Sequence, residues 1–220
     1  MMKHHFAFMM PLLLLSSTAA WALDADPVLA QLHEIQRDWA HIKYEIPDSD
    51  AQLVAIHKLE EKAAALTADN PQRPEPKIWQ GIILSTDAGI VRGISALGKV
   101  KQAKQLLEEA IQEDAKALDG SAYTSLGTLY YQVPGWPLAF GSNAKAGAMF
   151  KKALALNPQG IDPNYFYGDY LLHLGRYADA KKAFETALKA PARPDRALAD
   201  KGRRDEIRTA LAKISKKLND

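Results

Sequence analysis

Three segments of the chain carry one pattern: an alanine, a large apolar residue four positions on, and a second alanine three further. They are Ala103/Leu107/Ala110, Ala146/Phe150/Ala153 and Ala180/Phe184/Ala187, separated by 43 and then 34 residues. Steps of four and three keep the three residues on one face of an α-helix. Small side chains let a neighbouring helix approach closely, and the large one between them fills the remaining volume. Recurrence at such a period describes a stacked unit rather than an isolated element. The pattern therefore predicts helices that nest side by side.

The rest of the chain agrees, because apolar residues recur at three and four rather than at two. Leu29, Leu32, Ile35, Trp39, Ile42 and Ile46 mark a helix over about 28–46, which Pro47 ends. Asp48 or Ser49 can cap the next, which carries Leu53, Ile56, Leu59, Ala63 and Leu66. Residues 70–76 hold three prolines and read as a loop. A helix with Ile78, Trp79, Ile82 and Ile83 follows; Gly89, Gly93 and Gly98 bracket a turn; 100–118 reads as one helix. A charged helix over about 198–218 closes the chain. With no period-2 stretch, the expected fold is all-α. Hydrophobic residues at 47% and charged ones at 25% suit a folded domain and argue against long disorder. A formal net charge of +2 offers phosphates little attraction, so no nucleic-acid partner is expected. The absence of cysteine excludes disulfides, thiolate nucleophiles and Cys-based metal sites.

The first 22 residues read as an address. Lys3 precedes the apolar run Phe6–Leu15, and small residues lead to Ala20-Trp21-Ala22. This is the order of a secretory signal peptide, with cleavage expected after Ala22. No cysteine follows to take a lipid. No later segment is apolar enough to span a bilayer, so a periplasmic or secreted protein without stable membrane insertion is expected. The organisation that follows is a helical hairpin over 23–76, repeats over 77–118, 120–158 and 161–192, and a capping helix over 193–220.

Each repeated helix has a partner upstream. Tyr123-x-x-Leu126-Gly127-x-x-Tyr130 precedes Ala146, and Asn164-x-x-Tyr167-Gly168-x-x-Leu171 precedes Ala180. The first of these units is longer by an insert within 132–143. These residues resemble the tetratricopeptide repeat (TPR) family: an aromatic-x-x-Leu-Gly-x-x-Tyr first helix, an Ala-x-x-x-Phe-x-x-Ala second helix and a closing proline, here Pro158. Residues 161–192 match in Gly168, Gly175, Tyr177, Ala180, Phe184 and Ala187. Residues 77–115 match more loosely through Trp79, Ile82 and Ile83. The resemblance implies an α-solenoid of stacked antiparallel helix pairs, with a concave face that binds protein partners. A narrower likeness is to bacterial repeat proteins of the TRAP-transporter T-component type and to the regulator-of-microtubule-dynamics family, which also carry a long insert within a repeat.

Chemistry is hard to assemble from this sequence. His33, His41 and His57 lack the spacing of a helical metal pair and read as surface residues. The glycines from 81 to 98 form no phosphate-binding loop, and there is no Gly-x-Ser-x-Gly elbow. Glu60/Glu61 and Glu108/Glu109 lie among lysines on solvated faces. No catalytic residue, metal or cofactor is expected. Two segments invite a binding role. The insert carries Trp136, Leu138 and Phe140 among prolines and glycines; Trp136 and Phe140 either fold back as a plug or line a ligand pocket. The second is the helix near Pro163, with Asp162 as its expected N-cap. Its stripe Tyr165, Asp169 and His173 corresponds to Thr124, Thr128 and Tyr131–Gln132 one unit earlier, and roughly to Gln80, Leu84 and Asp87 before that. The last helix is expected to cover the final repeat and present charge to water, with recruitment of an acidic partner by Arg193, Arg203 and Arg204 as the alternative. Two functions remain open: a non-enzymatic scaffold holding a protein or peptide on its concave face, or a small-molecule binder with the 133–141 loop closing a pocket over Tyr131 and Tyr165.

Overall fold

The computed structural model describes residues 26–219; the expected leader lies outside them. Among the described residues there are nine α-helices and no strand: α1 Pro27–Glu45, α2 Ser49–Asp69, α3 Pro74–Val91, α4 Leu97–Asp114, α5 Ala117–Gln132, α6 Asn143–Leu156, α7 Ile161–His173, α8 Tyr177–Leu188 and α9 Ala197–Asn219. Consecutive helices pack as antiparallel hairpins, α3 on α4, α5 on α6 and α7 on α8. The first helices also touch one another, α3 with α5 and α5 with α7, which stacks the hairpins into an all-α solenoid.

All nine residues of the repeated triads are fully buried. A second recurrence sits opposite them. A Cβ added at Gly81 would lie 3.0 Å from Leu107, one at Gly127 would lie 3.0 Å from Phe150, and one at Gly168 would lie 2.9 Å from Phe184. In every hairpin the large residue of the second helix thus rests on a bare backbone of the first. The missing side chain is what brings the two axes together.

Local signals explain the helix ends. The Asp48 carboxylate accepts from the Ala51 N–H, and the Ser142 hydroxyl accepts from that of Lys145. Three starts and stops differ from the sequence reading. Helix α3 opens at Pro74 and takes Pro74 and Pro76 into its first turn. A proline is tolerated there because the first N–H groups of a helix have no intrahelical acceptor. Helix α7 opens at Ile161 behind Gly160, so Asp162 sits inside the first turn rather than capping it. The helix read over 100–118 stops at Asp114, and Leu118, Asp119 and Gly120 adopt left-handed φ of 47°, 55° and 74° at the entry to α5.

The core has two parts. Leu32, Ile35, Trp39, Ile56, Leu59 and Ile83 belong to a cluster at the α1–α2–α3 end, and the triad residues other than Ala153 belong to the other. Helix α9 lies on α8 and α7 as a capping helix should, burying Ile207 and Ile214, but it also returns to α1. There a Cβ at Gly202 would lie 2.4 Å from the Tyr44 ring. The two ends of the arc meet.

Candidate functional site

Because the ends meet, the inner face of the solenoid encloses a cavity of about 920 Å³. Its walls come from α1, α3, α5 and α7, with the α3–α4 and α5–α6 connections at the mouth and the start of α9 at the far side. Most of the lining is apolar: Trp39, Ile42, Trp79, Ile82, Leu97 and Val100 are among it. The Trp39 indole donates to the Thr86 hydroxyl at 2.9 Å and meets Trp79 edge to face, with ring centres 5.7 Å apart. That pair forms a rigid aromatic wall.

One end of the cavity is charged. Arg203, only 3% exposed, donates through Nε to Asp162 (3.0 Å) and through Nη1 to Glu206 (2.7 Å), and its guanidinium lies 4.2 Å from the Tyr165 ring centre. Arg193 donates to the other Asp162 oxygen at 2.9 Å and to Asp200 at 2.8 Å. Lys43 meets Glu206 at 3.2 Å. Burial works to raise the Asp162 carboxyl, but Arg203, Arg193 and Arg196 together outweigh it and hold it well below the usual carboxylate range. Burial, with Arg203 adding to it, brings the Lys43 ammonium down to about 8. Arg196 lies 5.0 Å from the centre of the Trp79 ring, and its Nε is buried without a hydrogen-bond partner among the described residues.

The structure brings together four of the eight residues expected at the site. Thr124, Thr128, Tyr165 and Asp169 all line the cavity. Tyr131 stands behind them: it is buried between Phe150 and Tyr170, and its hydroxyl donates to Asp169. His173 is exposed beside the Tyr131 ring and does not line the cavity. The insert divides. Phe140 packs edge to face on Tyr130, ring centres 5.8 Å apart, and so acts as the plug. Trp136 is 90% exposed and does neither of the things expected of it. The loop is tied down by the Gly141 and Ser142 N–H groups, which donate to Pro134 and Tyr130 carbonyls, and this holds Leu138 rather than Trp136 over the cavity.

Arg193, Arg203 and Arg204, the alternative acidic-partner site, are all engaged within the chain. The first two hold Asp162, and Arg204 donates to the carbonyls of Leu188 and Ala190, closing the end of α8. Of the stripe carried back to α3, Asp87 is fully buried, held by Lys99 and, at 3.0 Å, by His57 Nε2, with Glu60 on the same lysine. This is an internal charge cluster, and His57, exposed as expected, reaches into it from the surface. Among the described residues no group of three or more His, Asp or Glu is placed to hold a metal ion. None of the helices there is long and apolar enough to cross a membrane.

Sequence reasoning missed Arg196, Trp39 and Trp79 as cavity residues. The tryptophans sit on ordinary core stripes. The only local hint for Arg196 is Pro191-Ala192-Arg193-Pro194, which interrupts the repeat and sets up the 3-10 turn Pro194–Arg196.

Comparison with known proteins fits this architecture. The tetratricopeptide repeat family profile matches residues 138–214, from the end of the insert into α9. A thermophilic TPR protein of Thermus thermophilus is similar in structure, with a TM-score of 0.54 and 17% identity over 82% of this chain and 99% of its own. MamA is 18% identical over 79% of this chain and 96% of its own, at a TM-score of 0.44. The protein pilF of Pseudomonas aeruginosa is 16% identical over 88% and 92%, at 0.35. No curated protein sequence matches. The molecule has a TPR-like α-solenoid fold, in which stacked hairpins build an extended curved surface.

Proposed function

We propose that this is an exported, non-enzymatic binding protein that receives a protein or peptide partner at its concave face. The observation that carries the reading is the mouth of the cavity. Ile94 and Leu138, from two different connections, stand there largely exposed, and Trp136 projects from the same loop as Leu138. Large apolar side chains held in water around a concavity are costly unless a partner covers them, and aromatic anchors of this kind dominate interfaces. The leader-like residues 1–22 support export. Photo-crosslinking side chains placed at Thr128, Leu138 and, on the outer face, Lys181 test the proposal in the native host. A protein adduct at the two inner positions and none at Lys181 is expected. Equal yields at all three would refute it.

A second reading, a small-molecule binder, is favoured by one specific feature: α9 seals the far side of the concave face against α1. A cavity of about 920 Å³ with apolar walls and a few polar groups has the character of a ligand site. Native mass spectrometry of the gently purified protein should then show a co-purifying mass, and an empty spectrum would count against this reading.

A further inference from the structure

The charged end of the cavity is uneven. Three carboxylates, Asp162, Asp200 and Glu206, face four cations. Arg193, Arg203 and Lys43 are each paired, whereas Arg196 has neither an ion pair nor a side-chain hydrogen bond among the described residues. Asp162 is the counter-charge Arg196 feels most, but both of its oxygens already accept from other arginines. Burial consequently disfavours the charge on Arg196. Arg196 is half-buried, with its Nε shut off from water and unpartnered; an incoming anion would supply that missing acceptor, and guanidinium presents a planar fork suited to a carboxylate. Around it the surface is greasy: Trp79 lies under the guanidinium, and Ile82, Leu97 and Val100 continue the wall.

We infer that the cavity binds a small amphipathic anion, a single acidic head on an apolar body, with the head on Arg196 and the body along Trp79 and the aliphatic wall. The inference rests on the small-molecule reading above and names the chemistry of that ligand. A cationic head would be repelled by Arg196 and finds Asp162 taken by Arg193 and Arg203, which leaves Asp169, one of whose oxygens accepts from Tyr131, as the other carboxylate of the lining. A neutral head gains the apolar wall and leaves Arg196 as it is.

Calorimetric titration of the full chain with octanoate, octanol and octylammonium tests this. Octanoate is expected to bind at least about tenfold tighter than octanol, which corresponds to about 1.4 kcal/mol, and octylammonium weakest of all. In Arg196→Gln the octanoate advantage should disappear while octanol binds as before, which also shows that the variant keeps its fold. Equal binding of octanoate and octanol to the wild type would overturn the anionic head and leave the cavity reading standing. Binding of neither would overturn both. Retention of the octanoate advantage in Arg196→Gln would move the anion site elsewhere and refute the assignment.

Discussion

The contact between each glycine and the large residue resting on it can be tested by adding one methyl group. In Gly168→Ala the new Cβ would lie 2.9 Å from Phe184 Cδ1 and Cε1 and 3.1 Å from Cζ. Carbon atoms at rest sit about 3.5–4.0 Å apart, so something must move by about half an ångström. The ring has little freedom: it is fully buried and packs against Tyr165 with centres 5.9 Å apart. Overpacking of this kind costs about 1–3 kcal/mol. Against that, alanine is the better helix former by about 1 kcal/mol. The net expectation for Gly168→Ala is a loss of about 0–2 kcal/mol. Gly89 is the matched control. It lies in α3, and a Cβ there meets nothing within 4 Å. Gly89→Ala should gain about 0.5–1 kcal/mol from propensity alone. The two variants should therefore differ by about 1–3 kcal/mol, which for a chain of this size is about 2–12 °C in melting temperature. Thermal and urea unfolding followed by far-UV circular dichroism reads this directly. Adding Phe184→Leu to Gly168→Ala sets a smaller knob on the new methyl group, and the pair should lose less than the sum of the single changes. If Gly168→Ala melts with or above Gly89→Ala, or the double variant shows no recovery, the knob-on-glycine account of hairpin packing is wrong.

Asp162 ionises in the folded state at a lower pH than in the unfolded chain, so its stabilisation is present above the ordinary carboxylate range and drains away as pH falls through the folded value. The gap in urea midpoint between wild type and Asp162→Asn should thus be widest near neutrality and narrow below about pH 4; a gap that stays constant on acidification would refute the arginine clamp. Lys99→Met strands Asp87 and Glu60 and should destabilise by about 2–4 kcal/mol near neutral pH, with Asp87→Asn in the same chain restoring part of the melting temperature. No recovery would mean the cluster is not held by charge. Trp136→Ala should change stability by less than about 0.5 kcal/mol, whereas Phe140→Ala should cost about 1–2 kcal/mol for the half-buried ring; the reverse order in chemical denaturation would put the wrong side chain in the plug.

The parts of the fold that the sequence made legible are those written in one helix or one turn. The triads are a statement about a single helical face, and every one of their residues is buried. Asp48 and Ser142 announce helix starts because a cap needs only a side-chain oxygen and an N–H three residues on. Prolines were less informative than they look. Pro76 and Pro163 occupy the third position of their helices, and a proline satisfies any position of a first turn equally well, so they could not fix where α3 and α7 begin. What decided α7 is tertiary: Asp162 is drawn to Arg193 and Arg203, respectively 31 and 41 residues away. The inner face was legible to the extent that it repeats with the hairpins. Thr124, Thr128, Tyr165 and Asp169 follow from that register. Trp39 and Trp79 do not, because they lie on ordinary core stripes of α1 and α3, and Arg196 does not, because it reaches the cavity from the turn before α9, which no periodicity encodes.

That return also separates two roles that the arginines would otherwise share. Arg203 ties Asp162 of α7 to Glu206 of α9, and Glu206 in turn holds Lys43 and, at 3.4 Å, the Tyr44 hydroxyl of α1. The same few charges therefore fasten the ends of the arc and form the far wall of the cavity. Removing Arg203 would open the joint and alter the wall together, so a loss of binding in such a variant would say nothing about ligand contact. Arg196 adds its charge to the field on Asp162 but makes no hydrogen bond or ion pair in this fastening: it faces the same space and stacks on Trp79. A change there keeps every hydrogen bond and ion pair of the joint, which makes Arg196 the position at which closure of the solenoid and recognition of a ligand can best be told apart.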